Sequence, residues 1–238
     1  MSELTELKTI LNDSVTIPES KRGMFFKTDP GAYSAHDEFI GVTNPNLRKI
    51  AKQFQKLSFL NLQKLIESPI NEERLLALFI LVHQYQKGDK DKVYEFYIRN
   101  LQHVNNWNLV DASAHLILGA CILHRNKDVL LALAHSNNMW ERRIAIVATW
   151  YFIRHQELEW TFKLAKILLN DSHDLIHKAV GWMLREAGAK NRDMLMEFLN
   201  EHASAMPRTM LRYAIEKFLP EERQFYLQQR RTVITSLA

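Results

Sequence analysis

The sequence predicts an all-α chain of stacked helical hairpins, an α-solenoid. Three features predict it. Apolar residues recur at helical spacing: Leu75, Leu78, Phe79 and Val82 follow i, i+3, i+4, i+7, and Trp140, Ile144, Val147 and Tyr151 follow i, i+4, i+7, i+11. No proline interrupts the chain between Pro69 and Pro207, and only Gly88, Gly119, Gly181 and Gly188 punctuate that span, which suits helices joined by short turns. Polar turns return at a regular interval, while strand-like alternation bounded by turn pairs is absent.

Taken in order, residues 1–44 read as a less regular N-terminal segment. It holds one helix at about 3–12 and then a Pro- and Gly-containing stretch that includes Phe25, Phe26 and Lys27. Helices are expected at 45–56 and 58–67. Four longer helices follow, each after a polar turn: Ser68-Pro69-Ile70-Asn71, Val104-Asn105-Asn106, Ser136-Asn137-Asn138 and Asp171-Ser172-His173. Anchored on Arg74, Asp111, Arg143 and Lys178, these helices repeat at intervals of 37, 32 and 35 residues. Each is followed by a more amphipathic partner helix, at 89–102, 126–136, 157–170 and 191–202. Two-helix units of that period are the signature of HEAT-like solenoids, because one hairpin cannot bury its own apolar face but a stack can. The expectation is therefore a single HEAT-like repeat domain over 1–238, a right-handed superhelix with repeats at 45–206 and capping helices at 207–238. Pro207 and Pro220 each stand near a helix start, where proline is tolerated.

Composition narrows the function classes. The chain has 238 residues, of which 47% are hydrophobic, enough for a sizeable buried core. A single cysteine, Cys121, cannot form an intramolecular disulfide and points to a reducing compartment. The N-terminus lacks the basic-then-apolar layout of a signal peptide, and no apolar run approaches the roughly 18 residues of a membrane span. These features lead to the expectation of an intracellular, cytoplasmic protein with no membrane partner. The net charge of +4 is compatible with a nucleic-acid partner without establishing one.

Equivalent helices of a solenoid present equivalent positions to one surface, so unusual residues there carry information. Trp107 and Asp111 stand at i and i+4 on one helical face, and so do Lys178 and Trp182. Arg143 occupies the corresponding place in the helix between them. Taken singly, each has a bland explanation: a tryptophan is most often core, an aspartate near a helix start a cap, an arginine a structural ladder residue.

Jointly they match a known pattern. The stretch from Asn106 to Asp111 (NWNLVD), Trp140-Glu141-Arg142-Arg143 with Ala145, and Lys178 to Glu186 (KAVGWMLRE) resemble the AlkD-like DNA alkylation repair proteins. So do Phe25-Phe26-Lys27-Thr28 and the Phe39-Ile40-Gly41-Val42 stretch with Pro45 and Arg48. The resemblance covers nearly the whole chain in matching order. It implies a DNA glycosylase that removes bases made cationic by N3 or N7 alkylation, gripping double-stranded DNA in a HEAT-like groove. It places the catalytic aspartate on Asp111, the groove tryptophans on Trp107 and Trp182, and a DNA-backbone arginine on Arg143. The N-terminal tyrosine common in the family is replaced by Phe25-Phe26, and Asn108 stands where an acidic residue is common.

The residue types suit that chemistry. An alkylated purine already carries positive charge and leaves without a general acid; one carboxylate then stabilises the oxocarbenium-like sugar. Tryptophan faces hold a cation by about 0.5–2 kcal/mol each. Arg143, Lys178, Arg208 and Arg212 are candidates for phosphates, which position DNA without reading sequence. His173 and His177 have a spacing that can hold a metal, but no HExxH pattern or cysteine partner accompanies them, so no metal and no cofactor is expected. Cys121 lies in an apolar run and reads as core. The expected partner is double-stranded DNA bearing alkylated bases, bound by a monomer with no obligate protein partner. Two other readings stay open: a non-catalytic binder of damaged or branched DNA, and a protein–protein adaptor, the commonest use of HEAT solenoids.

Overall fold

The computed structural model describes residues 2–229; the last residues of the expected capping segment, 230–238, lie outside the described ones. The regular structure of the described chain is helical, with two isolated bridge pairs (Val15 with Val42, Glu38 with Ile70) and no strand among the described residues. It divides into two compact units, Met1–Cys121 and Ile122–Ala238.

The first unit starts with α1 (Glu3–Asp13), capped by Ser2, whose hydroxyl accepts the Thr5 amide. A short turn at Glu19–Lys21 and an irregular stretch lead to α2 (Asn44–Gln53), α3 (Phe59–Ile66), α4 (Asn71–Lys87), α5 (Lys90–Arg99) and α6 (Trp107–Ser113). The long helix expected at 106–122 is interrupted: after α6 the chain widens into a π turn at His115–Gly119 and resumes as α7 (Ala120–Ile122). The second unit holds α8 (Asp128–Ala134), α9 (Met139–Arg154), α10 (Glu159–Ile167), α11 (Asp174–Gly188), α12 (Arg192–His202), α13 (Arg208–Ala214) and α14 (Pro220–Gln228). Pro207 is the residue before α13 and Pro220 opens α14, as their fixed φ favours.

Within the first unit α4 is central, packed by α2, α3, α5 and α6. Every residue from Asn71 to Val82 is therefore buried, and the helix lacks a polar face. In the second unit α9 packs on α8, α10 and α11, and every residue from Arg143 to Thr149 is buried. The closest pairing there joins α11 to α13. Gly181 permits it, because a Cβ at that position would lie 2.4 Å from the Met210 carbonyl oxygen and 2.5 Å from the Tyr213 Cβ.

The repeat is visible in how the turns close. The residue two before the helix cap accepts the amide of the cap itself: Ser68 Oγ from Ile70, Ser136 Oγ from Asn138, Asp171 Oδ1 from His173. The fourth helical residue then reaches back to the carbonyl of that same residue. Arg74 donates to the Ser68 oxygen at 2.7 Å, Arg142 to the Ser136 oxygen at 2.9 Å and His177 Nε2 to the Asp171 oxygen at 2.5 Å. This corrects the sequence alignment by one residue at the first repeat. Arg74 corresponds to Arg142 and His177, while Asp111, Arg143 and Lys178 correspond to Leu75. It also accounts for the histidine pair: His173 caps α11, its Nδ1 accepting the Leu175 amide, and His177 closes the turn before it.

The N-terminal segment is irregular after α1, as its sequence suggests, but it is tied down by specific bonds. It docks on the first turn of α4, where four consecutive polar residues are buried. Glu72 accepts the Ile40 and Gly41 amides at 3.2 and 2.8 Å, Glu73 pairs with Lys8 at 2.9 Å, Arg74 pairs with Asp37, and Asn71 donates to Asp37 at 3.1 Å. Gly41 has φ +91° and a Cβ there would lie 2.7 Å from the Ile17 carbonyl oxygen, so this close approach requires glycine.

Candidate functional site

Two of the sequence-derived site residues, Trp107 and Asp111, lie on α6. Asn106 caps the helix, its Oδ1 accepting the Trp107 amide at 2.7 Å. Trp107 and Asp111, one turn apart, are both half-buried rather than core. Trp107 stacks on Phe26 at 5.1 Å between ring centroids, and Phe26 stacks in turn on Phe39 at 4.6 Å. Edge-offset and stacked aromatic pairs of this kind add about 0.5–1.5 kcal/mol beyond burial. The stack forms one wall of a cavity of about 570 Å³, lined mostly by apolar side chains including Val42, Leu47 and Leu75. Glu72 reaches this cavity with its carboxylate already committed to backbone amides.

The structure separates the Phe25-Phe26 pair. Phe26 is spent inside the aromatic stack, whereas Phe25 is 75% exposed and Met24 63% exposed at the rim of the same cavity. Lys27 is exposed beside them. Asn108 turns toward α4, its Nδ2 donating to Asn71 Oδ1 at 2.7 Å.

In the second unit, Trp182 is half-buried on α11 and meets Trp150 of α9 edge-on at 4.8 Å. The Arg154 guanidinium lies 5.7 Å from the Trp150 ring centre. Lys178 is partly exposed and pairs with Asp174, one turn earlier, at 2.8 Å. The Lys178 hydrogen bond holds the Asp174 carboxyl below its ordinary range, and the Thr209 side chain adds to that. Arg208 and Arg212, one turn apart on α13, are exposed.

Arg143 requires a correction. The sequence assigned it to a DNA phosphate, but it is only 5% exposed and donates from Nη1 to the Leu175 carbonyl at 2.5 Å. Its guanidinium thus ties α9 to the first turn of α11. Packing of α9 against α11 turns this side chain toward its neighbour rather than solvent. The open cations of this unit include Arg208 and Arg212 instead.

Sequence reasoning missed Asp37, Asn71, Glu72 and Trp150. Asp37 lies in a stretch without periodicity, so nothing local marks it. One signal was present: Arg74 directly precedes the apolar run Leu75–Val82, and a guanidinium buried there needs polar partners, which Asp37 supplies in part.

No curated protein compared with the chain matches it. A solved structure described as a predicted DNA alkylation repair enzyme from Enterococcus faecalis aligns with a TM-score of 0.67. The alignment covers 87% of this chain and 98% of that one, at 17% sequence identity, a likeness that speaks for the fold. The family model for DNA alkylation repair enzymes matches residues 12–218. That match takes in α2 through α13 together with the aromatic stack and every candidate site residue, and the chain belongs to the DNA alkylation repair enzyme family.

Proposed function

We propose that the protein is a DNA glycosylase that hydrolyses the N-glycosidic bond of bases made cationic by alkylation at N3 or N7, in double-stranded DNA. The observation that carries this reading is on α6: Trp107, fixed by stacking, lines an open apolar cavity, and the Asp111 carboxylate stands one helical turn further along the helix. Membership of the repair family supports it. The repeat spacing and turn closures support a HEAT-like solenoid as the scaffold.

In this mechanism the alkylated base departs with the electrons of the glycosidic bond and becomes neutral, so no proton donor is needed. The sugar passes through an oxocarbenium-like state, which the Asp111 carboxylate stabilises while orienting the water that attacks the anomeric carbon. Trp107 and Trp182 offer π faces to the cationic base or the electron-poor sugar. Arg208, Arg212, Lys178 and Lys27 bind phosphates, and Phe25 contacts the duplex near the lesion.

Release of 7-methylguanine or 3-methyladenine from methylated DNA by purified protein tests the reading; binding without release overturns it. A second reading, non-catalytic binding of damaged or branched DNA, is favoured by one observation. Asn108, where an acidic residue is common in the family, is bonded to Asn71 and contributes no charge.

A further inference from the structure

The turn before α6 differs from its counterparts. Before α4, α9 and α11 the fourth helical residue closes the turn with its own side chain: Arg74, Arg142 and His177. In α6 that position is Val110, a buried apolar residue with nothing to donate. The helix that carries Trp107 and Asp111 therefore depends on another anchor for its first turn.

That anchor is Asp37. Its side chain is fully buried, and it collects donors from three directions. Ser34 Oγ donates to Oδ2 at 2.7 Å, Arg74 pairs with Oδ1, and Asn71 donates to Oδ2 at 3.1 Å. Asn106 also donates to Oδ2, and to Ser34 Oγ at 2.7 Å. Asn106 and Asn108 flank Trp107 and both enter this cluster: Asn106 through Asp37, Asn108 through Asn71. The carboxylate thus fixes the residues before and after Trp107 against α4, and a side chain rigidly held at its own backbone keeps its direction.

We propose that Asp37 is a positioning residue for the Trp107–Asp111 face, taking over for α6 the task that the fourth-residue side chains perform in the other helices. The inference rests on the glycosylase reading only for its catalytic consequence. A misplacement of about 1 Å in a reacting geometry costs on the order of 10²-fold in rate.

Two substitutions test it. Asp37→Asn removes the charge while keeping the shape. Asn106→Ser keeps an oxygen that can cap α6 but is too short to reach Asp37, and it leaves the Arg74–Asp37 pair intact. Hydrogen–deuterium exchange of the segment 104–112 should speed up by roughly 10-fold or more in both, with segments 139–154 and 174–188 unchanged, because the anchor serves one turn. Single-turnover excision should fall by about 10-fold or more in both, with affinity for undamaged duplex within about twofold. Unchanged exchange at 104–112 in Asn106→Ser overturns the proposal. So does exchange that rises equally throughout residues 2–121, which marks Asp37 as a general stabiliser. If wild-type protein releases no base, the glycosylase reading fails, and the exchange measurement still decides whether Asp37 holds α6.

Discussion

Asp111 and His173 are both polar residues near helix starts, yet they carry different tasks. Asp111 sits half-buried one turn after Trp107, and the proposed mechanism gives it the task of stabilising a developing positive charge. Asp111→Asn keeps the size and removes the charge. Excision should drop on the order of 10²-fold or more, while affinity for undamaged DNA is unchanged or slightly tighter, since one repulsion near phosphates is gone. Equal losses of excision, binding and melting temperature would make Asp111 a structural residue. His173 titrates against folding. Burial lowers its pKa below the ordinary 6.5, Arg142 pushes the same way and Asp171 opposes. Burial likewise lowers His83 and His202. The folded chain then binds fewer protons than the unfolded chain just below pH 6.5. Stability is accordingly full above that value and falls as pH drops through it. The urea midpoint should be lower at pH 5.5 than at pH 7.5. His173→Asn, which can still cap α11, should shrink that drop; an undiminished drop would assign the effect to other histidines.

At the scale of helices, the decisive contacts are made where small or polar residues let two elements approach. The Gly181 site on α11 is one where the obstacle is backbone, with the Met210 carbonyl and Tyr213 Cβ of α13 in the space a methyl group would need. A backbone oxygen cannot move aside as a flexible side chain can. Gly181→Ala should cost about 2–3 kcal/mol in urea unfolding, the strain of an overpacked contact outweighing alanine's better helix propensity. Trp182 is the next residue, so the same substitution should perturb its fluorescence. A variant as stable as wild type would show that α11 and α13 slide apart without cost. The π turn after α6 is the complementary case: a local widening, at His115–Gly119, that no sequence period foretold.

For the molecule as a whole, the expected ligand is a polyanion, and association should follow counterion release. Duplex affinity should fall steeply and log-linearly with salt. Arg208→Ala and Arg212→Ala should each flatten the slope by roughly one unit, whereas Arg143→Ala, buried as it is, should lower stability before it alters the slope. Salt-independent binding would favour the adaptor reading. A photoreactive base placed at the lesion should label peptides containing Trp107. Absence of that label would remove Trp107 from the proposed site.

Helix identity, the repeat interval and the shared helical face of Trp107 and Asp111 were legible in the chain, because each depends on residues three or four apart or on the spacing of turns. A helix records its environment in its own periodicity, and an unusual residue on a regular face stands out. The repeat register was legible only to within one residue: Arg74 was matched to Arg143, and the turn-closing bonds move it to Arg142. Contacts between distant segments left no such record. Asp37 and Asn106 are 69 residues apart, and nothing near either one specifies the other. Arg143 was read as open because its helix was treated alone; packing on α11 buried it. Phe25 and Phe26 looked equivalent until the fold turned one into the aromatic stack and left the other to solvent. Periodicity encodes which face of a helix is apolar, but the partner that covers a face is chosen only when the chain closes on itself.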